Sequence, residues 1–252
     1  MMKKIDIKVE VFFTPANIDE LLMRDRNVVV IDVLRSSTTI VTALNNGARE
    51  IIPVASIESA AKVSGSLFGD VTLRGGERNG KMIEGFNLGN SPTEYTAETV
   101  KGKSIIFSTT NGSLAITKGK HAKHLVVTGF VNVTKSAEYI ASLRGDFYIL
   151  CASKQNSFCI EDTVCAGMVI DKVQQLLKQN FIMGDAANAA LLLYKTYSKS
   201  ILKMMQQSEH GKYLKELGFE DDINLCADVD SIPVLPVLHG NMIVLKKEEG
   251  NG

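Results

Sequence analysis

The chain has 252 residues, 45% hydrophobic and 22% charged, and its 28 basic and 28 acidic side chains give a formal net charge of +0. That length and hydrophobic share suffice for a large α/β core without disulfides or a structural metal, and they exclude a largely disordered chain. A neutral balance offers no global field to nucleic acid or to an acidic membrane surface, and 6% aromatics with no Trp leave little for base stacking.

The first residues, Met1-Met2-Lys3-Lys4-Ile5-Asp6, are only briefly basic and lead into alternation, not into a signal-peptide core. Ile7 to Phe13 reads as a strand and Asn17 to Met23 as a short helix. Val28-Val29-Val30-Ile31 is a buried strand that ends on Asp32 and then Arg35-Ser36-Ser37-Thr38-Thr39. Ile40, Val41, Ala43 and Leu44 follow at helical spacing, and Asn45-Asn46-Gly47 makes a left-handed cap. Strand, short loop and helix start form an anion site, because the first helical N–H groups are free and Arg35 can reinforce them. Asp32, at the strand tip, is placed to hold a cation or to take part in chemistry.

Glu50 to Val54 is the next strand, Ser56 caps a helix through Val63, and Asp70 to Leu73 is a short strand. Arg74 to Pro92 differs in kind, with Gly75, Gly76, Gly80, Gly85 and Gly89 among polar residues. A loop this long in a compact domain is expected to be ordered and functional, with Ile83, Phe86 and Leu88 as anchors. Ser104 to Phe107 is a strand entering Ser108 to Ser113 and a helix that stops near Gly119. Leu125 to Thr128 is a strand, and Asn132 caps a helix to about Ser142. Phe147 to Cys151 is a strand with a polar loop, Ser153 to Ser157, before Glu161-Asp162 and a helix with Cys165, Val169, Val173 and Leu176 on one face. Ala186 to Met205 reads as one long helix and Gly211 to Gly218 as a further turn or two. Polar Glu220 to Asp230 leads to two closing strands, Ile232 to Leu238 and Met242 to Leu245.

Strands alternating with helices predict a three-layer α/β/α fold with a mainly parallel, mixed sheet. No linker or repeat interrupts residues 1–252, which read as one domain with a helical elaboration around 180–220. No apolar run reaches the length of a membrane span. Cys151, Cys159, Cys165 and Cys226 lack CxxC spacing, and the expectation is buried free thiols in a reducing cytoplasm. His121, His124, His210 and His239 read as surface or capping residues.

Three strand tips share one arrangement: Asp32 with Arg35 to Thr39, Thr109 to Ser113, and Cys151 to Asp162. In parallel strands all three open at one edge, over which the glycine loop can close. Helix caps need one hydroxyl each, and these tips carry several. Asp32, Glu77, Glu161 and Asp162 are hard oxygen donors, which suit Mg²⁺ or Mn²⁺ rather than zinc. There is no P-loop, no DxD at Asp32, no Cys followed six positions later by Arg, and no GxSxG elbow. What remains is metal-assisted attack of water on a phosphoester, a reaction slow enough to need a metal.

The runs Asp32–Thr39 through Gly47-Ala48, Gly75–Gly80 and Gly85–Pro92 resemble the 2-phosphosulfolactate phosphatase (ComB) family, and Thr109–Gly112 and Glu161–Gly167 continue the match in order. The resemblance runs from about residue 5 to 245. It implies a ComB-like α/β/α fold and a Mg²⁺-dependent acid phosphatase converting 2-phospho-3-sulfolactate, or another 2-phosphorylated acid, to the free acid and phosphate, a step toward coenzyme M in methanogens. On this reading Asp32, Glu161 and Asp162 hold Mg²⁺, and Glu77 is a fourth ligand or general base. Arg35 and Arg78 act on phosphate with Ser36, Ser37, Thr38, Thr109, Thr110, Asn111 and Gly112; Arg74, Asn90 and Ser91 hold the carboxylate or sulfonate. Ser153-Lys154-Gln155 departs from the family pattern, where a smaller, Gly-containing loop is expected. The implied partner is a small anionic phosphorylated substrate, not nucleic acid or a membrane, and self-association as a homodimer is the commonest form. The rivals are a phosphotransferase and a non-catalytic binder of an anionic metabolite, in which the acids would be spare.

Overall fold

Four consecutive β-branched residues shielded on both faces make a central strand, not an edge. In Asn27–Ile31 (β2), Val29 and Ile31 point into one apolar cluster and Val28 and Val30 into another, on opposite sides of the sheet. The computed structural model describes residues 6–16, 18–66 and 72–247. Its other strands are β1 (Lys8–Phe12), β3 (Glu50–Pro53), β4 (Thr72–Arg78), β5 (Lys81–Met82), β6 (Ser104–Ser108), β7 (His124–Thr128), β8 (Phe147–Cys151), β9 (Ile182–Met183), β10 (Pro236–His239) and β11 (Met242–Leu245). The helices are α1 (Ser36–Asn45), α2 (Ile57–Ser66), α3 (Ala97–Val100), α4 (Gly112–Lys118), α5 (Val133–Leu143), α6 (Ile160–Leu177), α7 (Asp185–Tyr197), α8 (Ile201–Gln207), α9 (Glu209–Glu216) and α10 (Glu220–Cys226). They cover both faces, so the fold is the expected three-layer α/β/α.

The sheet order is β5-β4-β6-β3-β11-β10-β7-β2-β8-β1-β9. Two parallel blocks, β4-β6-β3 and β7-β2-β8-β1-β9, are joined by the antiparallel hairpin β10–β11, through Val237 opposite Val126 and Ile243 opposite Ile51. Five strand spacings separate β2 from β6, roughly 24 Å across a flat sheet. Yet Ser36, beyond β2, donates its hydroxyl to Thr109 Oγ1, beyond β6, at 3.1 Å. The sheet curls, and α1 fills its concave side: Ser36 to Leu44 are all buried, and the helix packs against β3, β7 and β10.

Several elements depart from expectation. Asn17, Asp70 and part of the expected strand at 70–73 lie outside the described residues; the observed strand begins at Thr72, and Glu20–Met23 is a short 3₁₀ turn capped by Asp19. The start of the glycine-rich stretch is strand, not loop, since Gly75 and Gly76 pair with Phe107 and Ser108 of β6. Gly76 has φ +143°, and a Cβ there would lie 2.0 Å from the Ser108 carbonyl oxygen, so glycine is what lets the strands meet. The expected helix over 186–205 is two helices, broken at Ser198–Ser200, where serine and lysine add nothing to an apolar stripe. Polar 220–230 contains α10, and the strand expected over 232–238 is regular only from Pro236. All four cysteines are buried free thiols. Among the described residues, no helix is long and apolar enough to cross a membrane.

Candidate active site

The loop after β2 is held by its own hydroxyls. The Asp32 N–H donates to Ser37 Oγ at 2.9 Å, the Ser37 N–H donates back to the Asp32 carbonyl at 2.8 Å, and Thr38 Oγ1 donates to the Val33 carbonyl at 3.2 Å. Thr39 Oγ1 donates to the Asn90 carbonyl at 2.9 Å, tying α1 to the glycine-rich stretch. Asp32 Oδ1 accepts the Ser36 N–H at 3.3 Å, and a Cβ on Gly112 would come within 2.6 Å of Asp32 Oδ2. Gly112 is therefore the residue that lets α4 start against this carboxylate. Burial pushes the Asp32 carboxyl up to about 6, with Glu77 adding to the rise and His210 and Ser36 opposing it.

The other acids fasten loops. Glu77 accepts the Thr110 N–H on Oε1 and the Gly80 N–H on Oε2, each at 2.8 Å, joining the β4–β5 turn to the tip beyond β6. Asp162 accepts the Val33 N–H at 2.8 Å and the Ser153 N–H at 3.2 Å, joining the tips of β2 and β8. Burial, then Asp32 and Glu161, raise the Asp162 carboxyl well above the usual range. Glu161 Oε1 lies 3.0 Å from His210 Nδ1.

Arg35 is 2% exposed. Its Nη1 donates to Asp222 Oδ2 at 2.6 Å, its Nη2 to the Gly80 carbonyl at 2.9 Å, and its guanidinium lies 4.1 Å from the Phe219 ring centre. The same Asp222 accepts the Ser91 hydroxyl on Oδ1 at 2.6 Å. Arg78 donates to the carbonyls of Glu77 and Ser108 and to Ser108 Oγ, and Arg74 lies over Phe86.

These groups surround a cavity of about 250 Å³ at the strand tips. Of the residues singled out by sequence, Asp32, Arg35, Ser36, Glu77, Asn90, Thr110 and Asn111 line it. Ser37, Thr38, Arg74, Arg78, Ser91, Thr109, Gly112, Glu161 and Asp162 do not. The expected trio of Asp32, Glu161 and Asp162 is thus not gathered on the cavity wall: Asp162, which like Glu77 accepts backbone N–H groups on both oxygens, lies behind it, and Glu161 turns to His210. His210, expected at the surface or a cap, is half-buried and lines the cavity, as do Tyr213 and Lys154, whose Nζ rests 4.5 Å from the Tyr213 ring centre. Asp222 is a further residue that sequence reasoning passed over. A polar run after a helix resembles any solvated face, and its partner Arg35 is 187 positions away.

Among the described residues, one buried side-chain atom is unsatisfied, on a residue that lines the cavity. Asn90 is 5% exposed, and its Oδ1 is buried without a hydrogen-bond partner. A buried acceptor with no donor carries a desolvation cost that a cation can remove. Asp32, Glu77 and Asn90 Oδ1 together offer oxygen donors only, the set a hard divalent cation takes.

A family model described as 2-phosphosulpholactate phosphatase matches residues 12–241. Proteins called "Probable 2-phosphosulfolactate phosphatase" align along nearly their full length. That of Caldanaerobacter subterraneus subsp. tengcongensis is 38% identical over 235 residues, 93% of this chain and 97% of the relative. The Clostridium novyi protein is 36% identical over 92% of this chain and 97% of its own, and the Thermotoga maritima protein 38% identical over 88% and 93%.

Proposed function

This chain belongs to the 2-phosphosulfolactate phosphatase family and is a phosphatase, and from that premise we propose that it hydrolyses 2-phospho-3-sulfolactate, or a closely related 2-phosphorylated carboxylic acid, with Mg²⁺ as cofactor. The observation that carries the reading is the cavity lined by Asp32, Glu77 and Asn90 beside Arg35, with the Asn90 Oδ1 buried and, among the described residues, without a hydrogen-bond partner. Asp32, Glu77 and Asn90 would hold the cation. When bound, Mg²⁺ supplies Lewis-acid stabilisation of the phosphoryl oxygens and a more acidic water.

The chain's own groups supply the rest. A substrate of this class carries phosphate, carboxylate and sulfonate, so a globally neutral protein must place its cations locally. Lys154 offers an ammonium at the rim, while Thr110 and Asn111 offer polar donors. Arg35 lies at the wall with two of its five N–H donors committed, to Asp222 and Gly80, which fixes the guanidinium plane before substrate arrives. Asp32, with its carboxyl raised to about 6, is ionised at neutral pH yet near enough to exchange a proton with water.

Phosphate release across a panel of 2-phospho acids, with Mg²⁺ and then with excess chelator, tests the proposal. Turnover of 2-phosphosulfolactate or one analogue that stops on chelation and returns with Mg²⁺ is expected. Turnover that survives exhaustive chelation removes the metal from the account, and no turnover of any 2-phospho acid removes the substrate class.

A further inference from the structure

Beside the first cavity lies a second, of about 340 Å³, bordered by Cys159, Glu161, Ser208 and His210. We propose that Cys159, Glu161 and His210 form a metal site of their own, for a borderline divalent cation of the zinc class. It draws on none of the oxygen donors assigned to Mg²⁺, so the two readings stand or fall separately.

The geometry is the first support. One ligand atom from each residue can be chosen so that all three lie within 4.8 Å of one another. Tetrahedral zinc, with bonds of about 2.0–2.3 Å, needs its ligands roughly 3.3–3.8 Å apart, a closure that small side-chain rotations supply. The ligands also stand on fixed elements. Cys159 is the N-cap of α6, where its carbonyl accepts both the N–H and the hydroxyl of Thr163, at 3.2 and 2.8 Å; Glu161 is in the first turn; His210 is in α9. Cys159 is 6% exposed and Glu161 1%, while His210 is half-buried and borders both cavities. Two ligands are thus sheltered, and the cavity that all three border has room for a water as a fourth ligand.

Charge is the second support. Glu161 is a buried carboxylate next to Asp162, and among the described residues its one ion pair is to the His210 imidazole. Burying carboxylates without a counter-charge is costly, and a divalent cation is the counter-charge that a thiol, an imidazole and a carboxylate together select over Mg²⁺. On binding, the Cys159 S–H bond breaks, its proton leaves to solvent, and the sulfur electron pair forms the metal–sulfur bond; His210 binds as the neutral imidazole.

The test uses the full-length chain stripped of metal and titrated with Co²⁺, whose bond to a thiolate gives a sulfur-to-metal charge-transfer band that oxygen-only sites lack. One equivalent should produce the band, Zn²⁺ should abolish it, and excess Mg²⁺ should not. Cys159→Ala should remove the band, and both Cys159→Ala and His210→Gln should lower Zn²⁺ affinity, read against a chromophoric chelator, by at least roughly 100-fold, the upper end of what a supporting partner alone costs. His210→Gln alters the least buried of the three ligands, 16% exposed, and serves if the cysteine variant fails to fold. No band in the wild type, a band unchanged by Cys159→Ala, or a Zn²⁺ affinity unmoved by His210→Gln overturns the proposal.

Discussion

Asp32 is held where its charge is unwelcome. It is 7% exposed, its neighbours include Glu77 and Asp162, and burial lifts its carboxyl from the ordinary 3.8 to about 6. The folded protein therefore holds the proton more tightly than the unfolded chain does. Stability is present below the unfolded value and is lost as pH climbs through the folded one. Asp32→Asn, in metal-free protein, is expected to be more stable than the wild type above about pH 6, by on the order of 3 kcal/mol at most, with the advantage gone below about pH 4. Melting temperatures at the two ends of that range measure it, and a variant less stable than the wild type at pH 8 contradicts it. The Arg35–Asp222 pair makes the opposite case. Both are buried, and Asp222→Asn strands a guanidinium that has no other carboxylate among the described residues. The expected loss is about 3–5 kcal/mol of unfolding free energy, measured by denaturant titration; a loss under about 1 kcal/mol would mean the pair is solvated, as exposed pairs are. Asp32 was legible as a carboxylate at a strand tip. His210 and Asp222 were not, because each gains its meaning from a partner on a distant element.

The elements that close the cavity are the β4–β5 turn and α9. Tyr213 of α9 donates its hydroxyl to the Asn79 carbonyl at 2.9 Å, and Gly80, at φ +74°, brings the turn so near that a Cβ would stand 2.7 Å from Leu217 Cδ1. Gly80 also gives its N–H to Glu77 and its carbonyl to Arg35. Gly80→Ala should cost on the order of 1–3 kcal/mol from the left-handed backbone alone. It should also raise KM, by displacing the turn that fixes Glu77 and Arg35. A variant with wild-type stability and KM would show that the turn yields freely. This part of the site was half legible. A run of five glycines marked the stretch as unusual, but glycine has poor strand propensity, so the pairing of β4 with β6 left no periodic trace. The hydroxyls of Ser37 and Thr38 look like anion ligands in sequence and act as staples of their own loop, since a loop must satisfy its own backbone before it can serve a ligand.

At the scale of the whole molecule, function depends on the curl of the sheet. β2, β4, β6 and β8 belong to two parallel blocks, and only curvature around α1 brings Asp32, Glu77, the Thr110–Asn111 tip and the 153–155 loop to one space. The alternation of apolar strands with helices made the α/β layers readable, because burial on both faces writes itself into composition. The two closing strands were readable as well, but their insertion between the parallel blocks and the curl were not, because each depends on pairings between residues more than a hundred positions apart, such as Val237 with Val126. Asp32 stands at the centre of this site, and its role is tested most directly by phosphate release from 2-phosphosulfolactate by wild type and Asp32→Asn, each with Mg²⁺ and each after chelation. The wild type should turn over only with Mg²⁺, and Asp32→Asn should fall by roughly 10²–10³-fold or more while remaining folded. Equal rates in wild type and variant, or a wild-type rate indifferent to the chelator, would contradict the account.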